Sequence, residues 1–353
     1  MSNQWPALTS FIKQLHHALD KPTVQADWSF PPEYALKPEH RMQQRGWSRY
    51  GVIIPDLPYP HHFFTFLSIM SSTAAVATEA DPLLQTRFGQ NAMIVTGTAA
   101  KMAKHFQSYS LPKSPQSFDH PAFLKFGKEI TIEGKYPDYH VAIQHNEFEL
   151  DIGFKNTNQV SWFIQMPMYD HFSLLSHYEG VFNYQGVEQK ISGLCTFEYA
   201  FCMSPITPQD QFGAANEKIP LDFSTYHIIS LDDQTQLLLN ETHLKGEKVV
   251  SRAFLRNLNG ESQNLEAEFE VLSYQSRLAV AIDGRNIKLP YLFRWLIKNQ
   301  RDNDEITIYG EVDTTMLYGV GNGYVGGYHF QGIYLEAVIE GRAYMEYVDR
   351  RAG

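Results

Sequence analysis

The chain has 353 residues, a formal net charge of −10 and an aromatic content of 14%. This acidic balance, without a cluster of lysine and arginine, excludes nucleic acid and anionic membrane surfaces as main partners. The sequence shows neither an apolar run of about 20 residues nor a signal-peptide pattern, so we expect a cytoplasmic protein with no transmembrane segment.

Helical patterns are few and short in this sequence. Apolar side chains recur at helical spacing over residues 5–19, which predicts an N-terminal packing helix within an arm of residues 1–25. Residues 99–106 and 291–298 are two further helix candidates. From about Trp47 onward, alternating apolar and polar residues predict antiparallel strands, chiefly at residues 139–145, 147–155, 160–166, 226–240, 265–274, 278–282 and 305–312.

One segment of the sequence occurs twice. The pattern His-aromatic-x-Gly-aliphatic-aromatic begins at His177 and again at His329. The two histidines lie 152 positions apart (329 − 177 = 152), and so long a period indicates two copies of a whole domain. We therefore predict a first domain at residues 26–205 and a second at residues 206–353, with a polar linker at 203–220.

The two copies keep the same strand faces. The gap between the two glycines of each copy is 13 residues in the first (193 − 180) and 9 in the second (341 − 332). Because side chains alternate along a strand, this even difference leaves each residue on its own face. We predict that Ala343, Met345 and Tyr347 share one face, and that Glu346 lies on the polar face, as Glu198 does in the first copy.

Each half has a length that suits a closed antiparallel barrel of about eight strands, which leaves no exposed strand edge. A barrel of that size has room for one small apolar ligand, and the aromatic content favours an apolar pocket. The predicted fold is therefore mostly β, with two tandem antiparallel β-barrel domains and an N-terminal helix.

The repeated hairpins carry a family resemblance. Residues 328–332 and 341–347 resemble the C-terminal signature of the AttH and carotenoid hydratase (hydroxyneurosporene synthase) family, and residues 288–295 resemble the stretch before it. The hairpin from Gly180 to Glu198 resembles the end of that family's first barrel. The resemblance implies two tandem lipocalin-like barrels and a hydratase-type activity.

The chain departs from that family at two places. The family often has paired tryptophans near its start, where this chain has only Trp47. After Gly193 the family commonly has a Trp-x-Asp-His-type sequence, whereas this chain has Cys-Thr-Phe-Glu-Tyr at 195–199. These departures place the chain in an uncharacterised branch that lacks part of the family's polar residues.

The candidate catalytic residues are Asp170, His171 and Glu198. The Asp170-His171 pair has no counterpart in the second half, although adjacent strand residues point to opposite faces and a turn-forming aspartate is the alternative. Glu198 has the chemistry of a general acid that protonates an alkene. Because Glu346 occupies the equivalent repeat position, an architectural role is the alternative for both glutamates.

The candidate ligand-binding residues are Trp47, Tyr50, His177, Tyr199 and His329. For the two histidines, recurrence at equivalent positions favours a structural hydrogen bond. The two cysteines match no zinc motif, and no histidine pair has strand-compatible metal spacing. We therefore expect no metal and no cofactor.

The leading functional hypothesis is binding of an apolar small molecule, such as a lipid, terpenoid or steroid-like compound, within a barrel or between the domains. The alternative is a cofactor-free hydratase, cyclase or isomerase that acts on such a ligand by general acid catalysis. A third possibility is a scaffold whose barrels are filled by their own side chains. The sequence leaves the ligand, the barrel that holds it and the oligomeric state open.

Overall fold

Antiparallel strands dominate the computed structural model of this chain. The structure describes residues 46–70, 91–102, 104–110, 123–145, 147–166, 169–203, 221–281, 284–299, 304–319 and 323–351. None of these residues forms an α-helix, and the described part of the chain therefore offers no helix with the length and apolar character of a membrane span.

The first half of the chain forms one ten-stranded antiparallel sheet, here called the curled sheet. Its strands are β1 (Gly46–Leu57), β2 (His62–Met70), β3 (Asn91–Thr98), β4 (Lys104–Ser110), β5 (Phe123–Phe126), β6 (Ile130–Lys135), β7 (Asp138–His145), β8 (Phe148–Met166), β9 (Tyr169–Tyr184) and β10 (Val187–Met203). Their order is β4-β3-β2-β1-β10-β9-β8-β7-β6-β5, so β10 returns to pair with β1.

The curled sheet wraps around a single hydrophobic core. Its two end strands, β4 and β5, lie at opposite ends of the hydrogen-bonded order. Even so, the rings of Tyr109 on β4 and Phe126 on β5 are 6.3 Å apart, and Phe66 on β2 lies 6.0 Å from Phe126. The ends of the sheet therefore face each other across the core and meet through side chains.

The second half of the chain forms a nine-stranded sheet and a small two-stranded one. The strands are β11 (Leu221–Ser230), β12 (Thr235–Leu244), β13 (Glu247–Asn257), β14 (Ser262–Tyr274), β15 (Ala279–Val280), β16 (Asn286–Ile287), β17 (Pro290–Asn299), β18 (Asp304–Val312), β19 (Leu317–Tyr318), β20 (Tyr324–Tyr334) and β21 (Ala337–Asp349). Among the described residues, strands β15 and β16 pair only with each other.

The nine-stranded sheet closes on itself. Its order is β18-β17-β14-β13-β12-β11-β21-β20-β19, and β18 also pairs with β20. That extra ladder joins Thr307 to Ile333 and Val312 to Tyr328 at its two ends. The result is an eight-stranded ring with β19 added outside it, here called the closed barrel. Eight strands give an interior that side chains fill or that holds one small ligand.

The repeat hairpins have the predicted faces. On β21, Ala343, Met345 and Tyr347 belong to the core of the closed barrel. On β10, Phe197 and Tyr199 belong to the core of the curled sheet. The alternation predicted for these strands is therefore confirmed, and the glutamates between the apolar residues lie on the outer faces.

The curled sheet and the closed barrel pack against each other through their outer faces, a surface here called the junction. Its apolar centre is buried and draws residues from both halves: Ile53, Phe63, Leu67, Tyr226, Ile228, Leu238, Phe254, Val325 and Tyr344. Phe63 and Tyr344 meet edge-on, with ring centroids 5.3 Å apart. Burying such large side chains stabilises the contact by roughly 1.5–3 kcal/mol each, so the two halves form a continuous structure.

The predicted fold class is wrong in two respects. Only the second half is a closed barrel, since the first half is a sheet whose end strands do not pair in the ladder order. The described residues contain no helix, and the predicted N-terminal helix at 5–19 lies outside them. The helix candidate at 291–298 is strand β17, because inward Phe293 and Trp295 alternate with half-buried neighbours.

One predicted strand also has different limits. Residues 226–240 are not one strand, because a turn separates β11 from β12. The Asp232 carboxylate accepts backbone N–H groups of Gln234 at 2.7 Å and Thr235 at 2.6 Å, which stabilises that turn. The proposed domain boundary at 205/206 falls between β10 and β11, outside the described residues, and remains a prediction.

Candidate functional site

Arg49 lies at the junction between two glutamates that occupy equivalent positions in the two halves. Its Nη2 is 3.4 Å from Oε2 of Glu198 on β10 and 3.3 Å from Oε1 of Glu346 on β21. One cation from β1 therefore bridges the two halves. Burial alone would lower the pKa of the Arg49 guanidinium, but attraction to Glu346 and Glu198 outweighs it and raises that pKa.

Two tyrosines complete this polar cluster. The Tyr226 hydroxyl donates to Oε1 of Glu198 at 2.5 Å, and the Tyr344 hydroxyl donates to Oε1 of Glu346 at 3.3 Å. Burial raises the pKa of the Glu198 carboxyl, although Arg49 and the Tyr226 hydrogen bond oppose the rise. Both oxygens of Glu198 thus have donors, and these donors come from both halves of the chain.

Arg256 crosses the junction from β13 of the closed barrel. Its guanidinium donates to Oε1 of Gln236 at 2.6 Å, to the carbonyl oxygen of Ser173 at 3.0 Å and to Oγ of Ser161 at 3.3 Å. All three acceptors are neutral, and the side chain is fully buried. Burial lowers the pKa of the Arg256 guanidinium to about 10, although attraction to Tyr226 and Glu198 opposes the fall. This arginine links the halves through hydrogen bonds to neutral groups.

The predicted catalytic pair Asp170-His171 is divided between two faces of β9. Asp170 shares the face of the core residue Phe172 and lies opposite Phe201 of β10. His171 points the other way, into the junction, where its ring meets Phe163 edge-on at 4.8 Å. Burial and the nearby charge of Arg49 hold the pKa of the His171 imidazole well below its usual value. His171 therefore joins Glu198 at the junction, and Asp170 does not.

Tyr50 and Tyr199 lie together inside the curled sheet. Their ring centroids are 5.2 Å apart at an interplanar angle of 70°, and both side chains are buried in its core. Trp47 is on the same strand as Tyr50, where its backbone pairs with Cys202. Two of the predicted ligand-binding residues are thus brought together in one apolar interior.

His177 and His329 lie away from both interiors. His177 is exposed on β9, and His329 is half-buried on β20. Each is the outward neighbour of a core tyrosine, Tyr178 in the curled sheet and Tyr328 in the closed barrel. The two histidines therefore occupy equivalent positions on their strands. The structure does not bring either of them to Tyr50 and Tyr199.

The interior of the closed barrel contains a histidine that the sequence analysis did not select. His227 on β11 is fully buried and is enclosed by four aromatic rings. The distances between ring centroids are 5.0 Å to Phe293, 5.2 Å to Tyr328, 5.3 Å to Trp295 and 5.5 Å to Phe269. Burial holds the pKa of the His227 imidazole well below its usual value, so the ring is neutral.

The hydrogen bonds of His227 fix its tautomer. The Thr225 hydroxyl donates to the backbone carbonyl of Glu346 at 3.0 Å, so its oxygen accepts from Nε2–H of His227 at 2.9 Å. A neutral imidazole protonated at Nε2 has a lone pair on Nδ1. The Tyr328 hydroxyl, 3.0 Å from Nδ1, must then be the donor to that nitrogen.

The wall of the closed barrel parts between β13 and β14. Their ladder runs only from Arg252 paired with Glu266 to Arg256 paired with Ser262. On one side of it, residues 247–251 pair with β12, and residues 267–274 pair with β17 on the other. This gap in the backbone ladder, between residues 247–251 and 267–271, is here called the seam, and the Ser251 hydroxyl contacts the carbonyl oxygen of Ala267 across it.

A buried glutamate fills the seam. Oε2 of Glu241 accepts from the backbone N–H of Phe269 at 3.2 Å and from Oγ–H of Ser251 at 2.9 Å. Nζ of Lys248 is 3.1 Å from the same oxygen, and Nε2 of His243 is 2.9 Å from Oε1. The backbone N–H of Phe269 has no partner on β13, and the Glu241 carboxylate accepts its hydrogen bond instead. A buried backbone N–H needs such a partner.

His227, Glu241 and His243 were missed because alternation alone identifies an inward position but not what a polar side chain does there. The sequence does place these residues inward. Thr225 and His227 are spaced by two from Ile229, and Glu241 is spaced by two from Leu239. Among the described residues, no group of three or more His, Cys, Asp or Glu side chains is placed to hold a metal ion.

Comparison with known proteins bears on the fold and the family. A crystal structure of a Nitrosomonas europaea protein provisionally named AttH matches with a TM-score of 0.57 and 14% sequence identity, over 91% of this chain and 98% of that one. At that identity the likeness establishes an AttH-like fold and nothing about activity. No curated protein matches the sequence.

A family model matches most of the chain. It is described as a family of unknown function, DUF6670, and it covers residues 67–353. That range includes the closed barrel and the curled sheet from the middle of β2 onward, whereas β1 with Arg49 lies before it. The chain therefore belongs to the DUF6670 family.

Proposed function

We propose that this protein binds an apolar small molecule in the interior of the closed barrel. The observation that carries the proposal is residual exposure on inward-facing side chains. Leu237 and Leu239 on β12 are 0% exposed, as expected where a barrel is filled, whereas Leu265, Ala267 and Phe269 on β14 keep 7–9%. All five belong to the same core, and from this exposure we infer room for a ligand beside the seam.

The lining of this space suits an apolar ligand with few polar atoms. It is lined by the aromatic rings that enclose His227. Both ring nitrogens of His227 are hydrogen-bonded, to Thr225 and Tyr328. The indole N–H of Trp295 is buried and has no hydrogen-bond partner among the described residues. A buried donor of that kind costs about 1–3 kcal/mol when unsatisfied, and a ligand oxygen would recover this energy.

Quenching of tryptophan fluorescence tests the proposal. Trp295 lies in the core of the closed barrel and Trp162 in that of the curled sheet. Bromine atoms quench indole fluorescence on contact, so 1-bromododecane bound in the barrel should quench wild type and Trp162→Phe. Trp295→Phe should lose that component of quenching while retaining affinity in an equilibrium partition assay with the unbrominated alkane.

The same experiment separates the competing locations. Quenching that survives in Trp295→Phe and disappears in Trp162→Phe would place the ligand in the curled sheet and contradict the proposal. No quenching and no partition of the alkane in any variant would favour a scaffold whose interiors are filled. Thermal unfolding of each variant should establish that it is folded before the comparison.

The second candidate function is cofactor-free hydration, cyclisation or isomerisation at the junction. The observation that favours it is the raised pKa of the Glu198 carboxyl, which would keep a proton available for transfer to an alkene carbon. In hydration, water would then add to the carbocation and return a proton to the carboxylate. His171, which faces the junction from β9, is the other proton-transfer group there.

Deuterium incorporation tests this second function. An isoprenoid alkene incubated with the protein in deuterated water should gain deuterium or the elements of water, detected by mass spectrometry. Glu198→Gln should abolish the gain, with Glu346→Gln as the matched control at the equivalent repeat position. A gain that both variants retain would remove Glu198 as the acid.

A further inference from the structure

We propose that His243 at the seam recognises a hydroxyl group on the apolar ligand, with its Nδ1 as the hydrogen-bond acceptor and Glu241 as the residue that positions its ring. This inference rests on the proposed function, because it names the chemistry of the ligand that the closed barrel would hold.

Glu241 sets the tautomer of His243. A carboxylate oxygen can only accept, so the 2.9 Å contact with Nε2 of His243 requires the proton on that nitrogen. With a single ring proton on Nε2, the second nitrogen, Nδ1, has a lone pair. The other donors to Glu241, from Lys248, Ser251 and Phe269, hold the carboxylate in place and leave His243 one orientation.

The seam places this acceptor at the edge of the apolar interior. The ring of His243 lies 5.0 Å from that of Phe223, which in turn lies 6.0 Å from Phe269 and 5.6 Å from Tyr347. The side chain of His243 is 14% exposed, whereas that of Glu241 is 4% exposed. His243 therefore lies at the seam, against the aromatic side chains of the interior.

The acceptor at Nδ1 selects the kind of head group. A hydroxyl group can donate to Nδ1 while its hydrocarbon body remains against the aromatic rings. A ligand carboxylate has no proton to donate to that nitrogen. An ether or a hydrocarbon has no donor. The arrangement thus favours an alcohol of the lipid, terpenoid or steroid type over the corresponding acid or ether.

Three probes of similar size test the proposal: 1-dodecanol, dodecyl methyl ether and dodecanoic acid, each titrated by displacement of 1-bromododecane from Trp295. In wild type we expect the alcohol to bind about tenfold more tightly than the ether, which corresponds to one net hydrogen bond. His243→Leu should reduce this preference of alcohol over ether to about one. His140→Leu, an exposed histidine on the curled sheet, is the matched control and should keep the full preference.

A second measurement on wild type covers the case in which His243→Leu does not fold. The ¹⁵N resonance of the assigned His243 Nδ1 should move on addition of the alcohol and stay in place on addition of the ether. An unchanged resonance, or equal affinity for alcohol and ether in wild type, would overturn this inference and leave the proposed function standing. Failure of all three probes and the bromoalkane to bind would overturn the proposed function itself.

Discussion

The junction and the interior of the closed barrel each contain a buried glutamate, and their partners differ in origin. Glu198 receives Arg49 from the curled sheet and Tyr226 from the closed barrel. Glu241 receives all of its donors from the closed barrel, at the point where the wall parts. The first glutamate thus joins two halves, and the second completes one wall beside an apolar space. A buried carboxylate is therefore not by itself a sign of catalysis in this fold.

The largest expected effect is at Arg256. Arg256→Ala removes the donors to Ser173 and Gln236 and leaves a cavity, so we expect a loss of about 3 kcal/mol in the free energy of unfolding. Arg294→Ala is the control, since that arginine is 39% exposed and pairs with Glu270 at the surface, where less than about 1 kcal/mol is expected. Urea unfolding measures both. Equal losses would mean that Arg256 does not hold the halves together.

The next effect tests how the interior is filled. A Cβ at Gly310 would lie 2.2 Å from Cζ of Phe293, so Gly310→Ala must displace that ring from its place against His227. We expect a loss of about 1–3 kcal/mol. Gly153→Ala is the control, because a Cβ there has no neighbour within 4 Å. If Gly310→Ala were as stable as Gly153→Ala, the interior would be loosely packed around Phe293.

A smaller effect is expected from Tyr226→Phe. The change removes the 2.5 Å donor to Glu198 and keeps the ring in the junction, so a loss of about 1–2 kcal/mol is expected. Because that hydrogen bond lowers the pKa of the Glu198 carboxyl, its removal should raise the pKa further. Urea unfolding gives the first quantity, and ¹³C NMR of the carboxyl carbon gives the second. A lower pKa in the variant would contradict the assigned hydrogen bond.

The smallest effect is a pH dependence carried by Glu198. Burial raises its pKa in the folded state, so the folded protein binds more protons than the unfolded chain above the usual carboxyl pKa. The stabilising contribution is then complete below that usual pKa and is lost as the pH rises through the folded pKa. Glu198→Gln should therefore gain stability relative to wild type as the pH rises above the usual carboxyl pKa of about 4.3. A relative loss over that range would reverse the sign of the pKa shift.

Local alternation was enough to predict part of this structure. It placed Ala343, Met345 and Tyr347 inward because a half-buried strand has a period of two. It failed at β17, where Leu292 and Leu296 are half-buried on the outer face, so that the segment has apolar side chains on both faces and resembles a helix. Closure of only one half depends on the ladder between β18 and β20, a long-range pairing that no local pattern reports.

The candidate site was harder to predict for a related reason. Glu198 was predicted as a catalytic residue from its repeat position, and the structure places it at the junction with Arg49. Glu241 was not predicted as a site residue, because its role depends on where the ladder between β13 and β14 ends. The role of a polar residue on an inward face depends on its partners on other strands, which the local sequence does not identify.

The most direct test of the central claim is the anomalous scattering of bromine in a crystal soaked with 1-bromododecane. We expect an anomalous peak inside the closed barrel, between the inward side chains of β14 and the ring of Trp295, close to the seam. A peak inside the curled sheet, or at the junction beside Glu198, would contradict the assignment of the ligand site to the closed barrel.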